Sequence, residues 1–252
     1  MDRAGVEYWQ DVWQSKELIA KIDLSYYTYR LLDELFKNYF PIDNTKSVCE
    51  IGCAMSPYLL YFHDRFGYTI HGFDYDCKAV EKTKRIYRSM GYEANIFCQD
   101  LFAPYEGESF DLLTSFGVFE HFEDLSSSLE HTKKFLKPGA FILTLIPNMR
   151  GVVGWLQKCF NPRVYNIHVP YTSHDLRMSH ESVGYETLFC DYYGTYQGGV
   201  INIDNHSQKV LLQKLFALPG KPLYRLQKIL GKRFDSKMIS PYVIYIGKLR
   251  QR

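Results

Sequence analysis

The chain contains no stretch approaching the ~20 apolar residues that a helix needs to cross a bilayer. It opens Met1-Asp2-Arg3-Ala4-Gly5, which is polar and leads to no apolar h-region, so no signal peptide is expected. Charge of one sign is scarce. Thirty Lys and Arg face 28 Asp and Glu, a formal net charge of +2, which gives no strong field for nucleic acid, and none is expected as a partner. Its six cysteines, at 49, 53, 77, 98, 159 and 190, form no CxxC pair, and four fall in or beside expected buried elements. That pattern predicts reduced thiols in a cytosol, with neither a disulfide frame nor a zinc site. There is no internal repeat and no low-complexity tract.

What is present is a core. The 252 residues are 46% apolar and 16% aromatic, with 21 Tyr and 17 Phe, enough for one large domain. Residues 5–40 read as two helices. Trp9, Val12, Trp13, Leu18, Ile19 and Ile22 fall at helical spacings, and so do Tyr27, Leu31, Leu32, Leu35 and Phe36. Alternation of strand and helix follows. Strands are expected at Ser47–Ile51, Thr69–Phe73, Glu93–Cys98, Phe110–Ser115 and Ala140–Ile146, with helices at Pro57–Arg65, Cys77–Met90 and Asp124–Leu136. Such repeated units imply a parallel sheet with helices on both faces. Residues 147–186 read as a long loop with one short helical signal near Gly154–Phe160. A strand at Thr187–Tyr196, a basic helical insertion at 207–239 and a final strand at Tyr242–Lys248 complete the pattern. The expected fold is α/β and Rossmann-like, with a mostly parallel seven-stranded sheet. An N-terminal helical cap (1–44) precedes the main domain (45–252).

The chemistry is carried by the strand ends. After the first strand comes Cys49-Glu50-Ile51-Gly52-Cys53-Ala54-Met55-Ser56-Pro57. Gly52 permits a tight turn and a close approach of backbone to a ligand. In an open parallel sheet, ligands sit beyond the carboxyl ends of the strands, where this turn lies. The second strand ends His71-Gly72-Phe73-Asp74, followed by Tyr75, and a carboxylate about 20 residues after the turn is placed for a ribose. Asp76 is the better N-cap for the helix at Cys77. The third strand ends Cys98-Gln99-Asp100-Leu101, where Asp100 can accept from an adenine amino group and Leu101 can pack on its ring. A dinucleotide oxidoreductase would want GxGxxG, and Gly52-Cys53-Ala54-Met55-Ser56-Pro57 does not supply it.

Further on stand Phe110-Asp111, Glu120-His121 and Lys137-Pro138-Gly139-Ala140. With these in order the chain resembles the class I S-adenosylmethionine-dependent methyltransferases, especially the small-molecule and glycan type. The resemblance covers residues 45–150 closely and 150–195 loosely. The chain departs from the family's glycine-rich turn at Ala54 and Ser56, which keeps a catalytically silent, partner-type protein as an alternative. The resemblance implies S-adenosylmethionine as cofactor. It places Glu50 and Gly52 at the methionine end, the backbone of Cys53 and Ala54 alongside, Asp74 and Tyr75 by the ribose, Asp100 and Leu101 by the adenine, and Phe116 near the sulfonium. Tyr8, Trp9 and Trp13 are candidates for an N-terminal lid.

The acceptor is expected to be a small molecule or glycan intermediate, methylated at oxygen or nitrogen. An RNA or protein methyltransferase is the other enzymatic reading, and the balanced charge of residues 45–195 does not favour RNA. His121 is the first candidate base, and His168 with Tyr171 the second. Some relatives acting on quinone-type acceptors carry Glu-x-x-Glu-His here. Gly117 replaces the first carboxylate, leaving Glu120 and His121, and two ligands are too few, so no metal is expected. The insertion holds eight basic residues from Lys209 to Lys237 and a stripe of Val, Leu and Ile. It reads as an amphipathic cover helix with a solvated face, or as a surface for an anionic or membrane-linked acceptor; membrane contact is not expected.

Overall fold

A computed structural model describes residues 3–14, 17–203, 208–231 and 233–251. The strands are β1 (Ser47–Ile51), β2 (Thr69–Asp74), β3 (Ala94–Cys98), β4 (Phe110–Phe116), β5 (Leu136–Pro147), β6 (Tyr185–Tyr193) and β7 (Tyr242–Leu249). They form one sheet in the order β3-β2-β1-β4-β5-β7-β6. From β3 to β5 every pairing is parallel. β7 is antiparallel to both β5 and β6, so β6 runs with the first five. The carboxyl ends of β1 to β6 therefore share one edge.

Burial on both faces explains the continuous apolar run of β5. Leu143 and Leu145 point into a core that contains Leu31, Leu35 and Phe36 of α2 (Tyr27–Lys37), Leu59 and Phe62 of α3 (Tyr58–Phe66), and Val80 and Tyr87 of α4 (Cys77–Ser89). Ala140, Ile142 and Ile146 point the other way, onto Leu125 and Leu129 of α5 (Leu125–Glu130) and Leu176 of α8 (Ser173–Ser182). The same alternation places Val48 and Leu112 on one face and Cys49 and Leu113 on the other.

Several expectations need correction. The first helix, α1 (Gly5–Gln14), ends before Leu18, which is exposed, and Ile19 reaches the core from non-helical chain. The helix expected through Leu136 stops at Glu130. A 3-10 turn, His131–Phe135, follows, and Leu136 already belongs to β5, pairing with Phe110. The segment 147–186 is largely helical, with α6 (Val152–Phe160), α7 (Pro162–Asn166) and α8. The short signal near Gly154–Phe160 is α6, whereas α7 and α8 are short or polar, so periodicity hid them. Thr172 and Asp175 form a capping box that starts α8. The insertion is two helices, α9 (Lys209–Ala217) and α10 (Gly220–Leu230), while residues 207 and 232 lie outside the described ones.

The thiol expectation is also corrected. Cys77 and Cys98 form a disulfide, with Cα atoms 5.0 Å apart. Sequence spacing could not show this. It arises because the parallel pairing of β2 with β3 brings the start of α4 beside the end of β3. Cys49, Cys53 and Cys190 are buried free thiols, and Cys159 is exposed. The argument from thiols to a reducing compartment therefore falls. Among the described residues, no helix is long and apolar enough to cross a membrane.

Asp111, of the Phe110-Asp111 pair, lies at the start of β4 and so at the other edge. Lys137 (2.7 Å), Lys46 (3.1 Å) and Ser47 hold its carboxylate. Burial works against ionisation, and these partners outweigh it, holding the carboxyl down at about 2. The spaced Phe-Asp and Lys-Pro-Gly features thus tie β1, β4 and β5 together; they line no cavity.

Candidate functional site

A cavity of about 1070 Å³ opens at the carboxyl ends of β1 to β4. Glu50, Gly52 and Ala54 line it from the turn after β1, and Asp74 and Tyr75 from the end of β2. Gln99, Asp100, Leu101 and Phe102 line it after β3, and Phe116, Gly117 and Val118 after β4. The α1 helix closes it with Val6, Trp9 and Trp13. Of the lid candidates, Trp9 and Trp13 stack with ring centroids 5.5 Å apart, while Tyr8 sits edge-on to Trp9 and does not line the space.

The turn after β1 is built by backbone donors. Gly52 and Cys53 N–H both bond to the Phe73 carbonyl, at 2.9 and 3.1 Å. Gly52 has φ +67°, and the other left-handed position is Met55, φ 54°. Neither Ala54 nor Ser56 has a positive φ, so the departures from a glycine-rich turn fall where no glycine is needed. The Met55 N–H is held by Thr83 Oγ1 at 3.0 Å, which fixes the strained residue in place. Cys53 is fully buried and lines none of the cavity; its side chain packs against Gly72.

Two buried carboxylates face this space. Glu50 is 1% exposed, and its Oε2 has no protein partner. Burial pushes its carboxyl up to about 8, opposed by a Ser56 hydrogen bond and reinforced by Asp74. Asp74 is pushed up to about 6, again chiefly by burial. Both Asp74 oxygens accept backbone N–H bonds, from Ala54 (3.2 Å) and Asp76 (2.9 Å). Asp74 therefore shapes the turn as well as lining the cavity. Asp76 is the N-cap of α4, accepting from Lys78 and Ala79. Asp100 Oδ1 accepts from Phe102 N–H, which folds the loop over the cavity rim.

Sequence reasoning missed Tyr58. At the start of α3 it lies flat on Phe116, centroids 3.6 Å apart and planes within 5°, and both line the cavity. Its position just inside the helix that follows the Gly52 turn was the available signal.

At the far end stands a 3-10 turn, Phe119–His121. His121 lines the cavity, with Trp9 edge-on to its ring at 5.3 Å. His121 Nδ1 lies 3.0 Å from the Ile167 carbonyl, and His168 Nδ1 lies 2.5 Å from that of Val164. A carbonyl only accepts, so in both rings Nδ1 carries the proton and Nε2 keeps its lone pair. The two rings are 4.7 Å apart. Burial pushes each imidazole down to about 4, so both are neutral at neutral pH. Glu120, 1% exposed, places Oε1 4.0 Å from His121 Nε2, its Oε2 has no partner, and burial pushes it up to about 8.

The expectation of no metal rested on a count of two ligands. The fold brings a third, since one ligand atom each from Glu120, His121 and His168 lies within 4.8 Å of the others. His168 comes from the segment after α7, nearly fifty residues away, where spacing gave no hint. This set has the donors to hold a divalent ion. Tyr171 is corrected as a base. It does not line the cavity, and its hydroxyl is spent on the Phe122 and Glu123 carbonyls at 2.7 and 2.9 Å.

A family model described as a methyltransferase domain matches residues 24–188. The chain belongs to this methyltransferase family. Solved structures agree in fold. The cyclase SpnF shares 13% identity over 98% of this chain and 94% of its own, with a TM-score of 0.61. An S-adenosylmethionine-dependent methyltransferase from Clostridium acetobutylicum shares 12% over 96% and 99%, TM-score 0.58. One from Archaeoglobus fulgidus shares 16% over 87% and 93%, TM-score 0.53. No curated protein matches the sequence. The chain is a methyltransferase with a Rossmann-like fold. An orphaned, buried Glu50 carboxyl at the turn fits the cationic cofactor of such a methyltransferase.

Proposed function

We propose that this methyltransferase alkylates an oxygen or nitrogen of a small molecule or glycan intermediate, a hydroxyl being the acceptor the site suits best. The supporting observation is the free Nε2 of His121 in the cavity wall. Bound S-adenosylmethionine supplies an electrophilic methyl carried on a sulfonium. Glu50 and Asp74 would hold the methionine and ribose end, and Asp100 with Leu101 the adenine. The stacked pair Tyr58 and Phe116 forms a rigid apolar wall that keeps water from the reacting centre. His121 Nε2 would take the acceptor proton as the methyl carbon leaves sulfur, which departs as the neutral thioether, for the acceptor oxygen, and the Ile167 carbonyl would hold the imidazolium by its Nδ1–H.

A second reading has its own support in the unpartnered Oε2 of Glu120 and the nearby His168. A divalent ion on Glu120, His121 and His168 would acidify an acceptor hydroxyl directly. Release of S-adenosylhomocysteine across a panel of sugars, nucleotide sugars and phenols, with and without chelator, tests both. Chelator-resistant turnover supports the base, and chelator-sensitive turnover restored by a divalent metal supports the ion. Turnover on none of the panel, by protein that binds the cofactor, would remove this acceptor class.

A further inference from the structure

The insertion between β6 and β7 presents apolar side chains on the wrong side for a solvated cover. On α9, Leu212 and Phe216 are buried with Val153 and Ile203, as a cover helix requires. Leu211, Leu215 and Leu218, spaced four and three places apart, form a second stripe 47–65% exposed. In α10, Leu223 and Tyr224 pack inward, on the buried cluster and on Tyr27, yet apolar side chains also face out. Gln227 is buried and accepts a hydrogen bond from Thr195, while Leu226, Ile229 and Leu230 are 46%, 79% and 52% exposed. The packed cluster also includes Leu156 and Phe160 of α6, whose Trp155 is 63% exposed. Met238, whose carbonyl caps the start of α6 at Val152 N–H, is 69% exposed.

The charge of this region is one-sided. Lys214, Lys221, Arg225, Lys228 and Lys237 are exposed and have no acidic partner among the described residues. Asp235 is the sole acid from 208 to 239, and it is paired with Arg233. The whole chain carries only +2, so this positive field is local.

We infer that α9, α10, Trp155 and Met238 form a docking surface for an anionic lipid bilayer. Aliphatic stripes beside exposed cations, with an exposed tryptophan on α6, whose Leu156 and Phe160 pack in the same cluster, match a helix lying in the headgroup plane. A second copy of the chain fits poorly, because a two-fold contact would set the cationic surface against itself. The topology gives the surface a purpose. β6 ends and β7 begins on the edge where β1 to β4 end, so the insertion stands on the same side of the sheet as the cavity. Docking there would present the cavity to an acceptor carried in or on the membrane. Docking itself does not depend on which acceptor atom is methylated.

The test is co-sedimentation of the full chain, without cofactor or acceptor, with phosphatidylcholine vesicles and with vesicles that also contain phosphatidylglycerol. Binding to the anionic vesicles, weakened by salt and absent from neutral ones, is expected. A blue shift in tryptophan emission that is lost in Trp155→Phe is expected alongside. Leu218→Ser with Ile229→Ser should cut the bound fraction at least tenfold. Both residues are exposed, and an unchanged thermal melt would show that the fold is intact. No binding to anionic vesicles overturns the inference, as does binding indifferent to the double substitution. Self-association in light scattering that the double substitution breaks, without vesicle binding, would assign the surface to a second copy instead. Every readout is taken without turnover, so failure of the acceptor reading leaves this result intact.

Discussion

A Cβ on Gly52 would lie 2.7 Å from Val118 Cγ2, so the turn after β1 and the loop after β4 meet with no room between them. The contact joins two walls of the cavity, since Gly52 belongs to the turn after β1 and Val118 to the loop that leads to His121. Gly52→Ala should weaken S-adenosylhomocysteine binding by tenfold or more, through this clash and the positive φ. Val118→Ala removes the clash but not the backbone strain. The double variant should therefore recover part of the lost affinity, and calorimetric titration of all four proteins measures the coupling. Additive losses would mean that the turn relaxes away from Val118.

Glu50 should make cofactor binding pH-dependent. Burial raises its carboxyl to about 8, so the free protein holds a proton there at neutral pH. A cationic ligand favours the carboxylate, so affinity for S-adenosylmethionine should climb as pH rises toward about 8, with proton uptake by the buffer, then level off. Titration in buffers of different ionisation enthalpy reads the proton directly. Glu50→Gln should flatten the dependence. A flat wild-type profile would place Glu50 away from the cofactor's charge.

His121→Ala should lower kcat by ~10²-fold with little change in cofactor affinity. His168→Ala should cost less under the base reading, because its ring does not line the cavity. Equal losses in the two variants, each accompanied by loss of bound metal, would favour the ion.

His180 predicts a stability effect far from the cavity. It is fully buried, bonded to Leu176 and Thr144 and stacked on Tyr245 at 3.7 Å, and burial pushes it down to about 3. Its folded value lies below the ordinary 6.5, so its contribution is complete above pH 6.5 and is lost as pH falls toward 3. Glu50 and Glu120, raised to about 8, act in the opposite sense, so the wild-type curve sums both kinds. Against that curve, His180→Gln should show a slope smaller by about 1.4 kcal/mol per pH unit between pH 4 and 6 in chemical unfolding. Parallel curves would mean that His180 is charged in the native protein.

Patterning made the sheet legible. β1 matched its expected bounds, and β2 to β5 and β7 differ from theirs by a few residues at the ends, because apolar runs in parallel strands are bounded by sharp turns. Most expected cofactor-site residues line the cavity for the same reason, since the strand ends place them there. What sequence hid was long-range. His168 joins His121 only through the packing of the segment after α7, and Cys77 meets Cys98 only across β2 and β3. Met55 was hidden differently, as a left-handed residue whose side chain carries no turn signature.

Tyr193 and Tyr242 are register partners at the end of β6 and the start of β7. The insertion thus leaves and re-enters the sheet at one point, as a side branch does. Closing such a branch costs only about 0.6 kcal/mol more for each doubling of its length. Its length and chemistry can therefore change without shifting the strand ends that place Glu50, Asp74 and Asp100, so the surface on this branch and the cavity at the strand ends are free to vary separately.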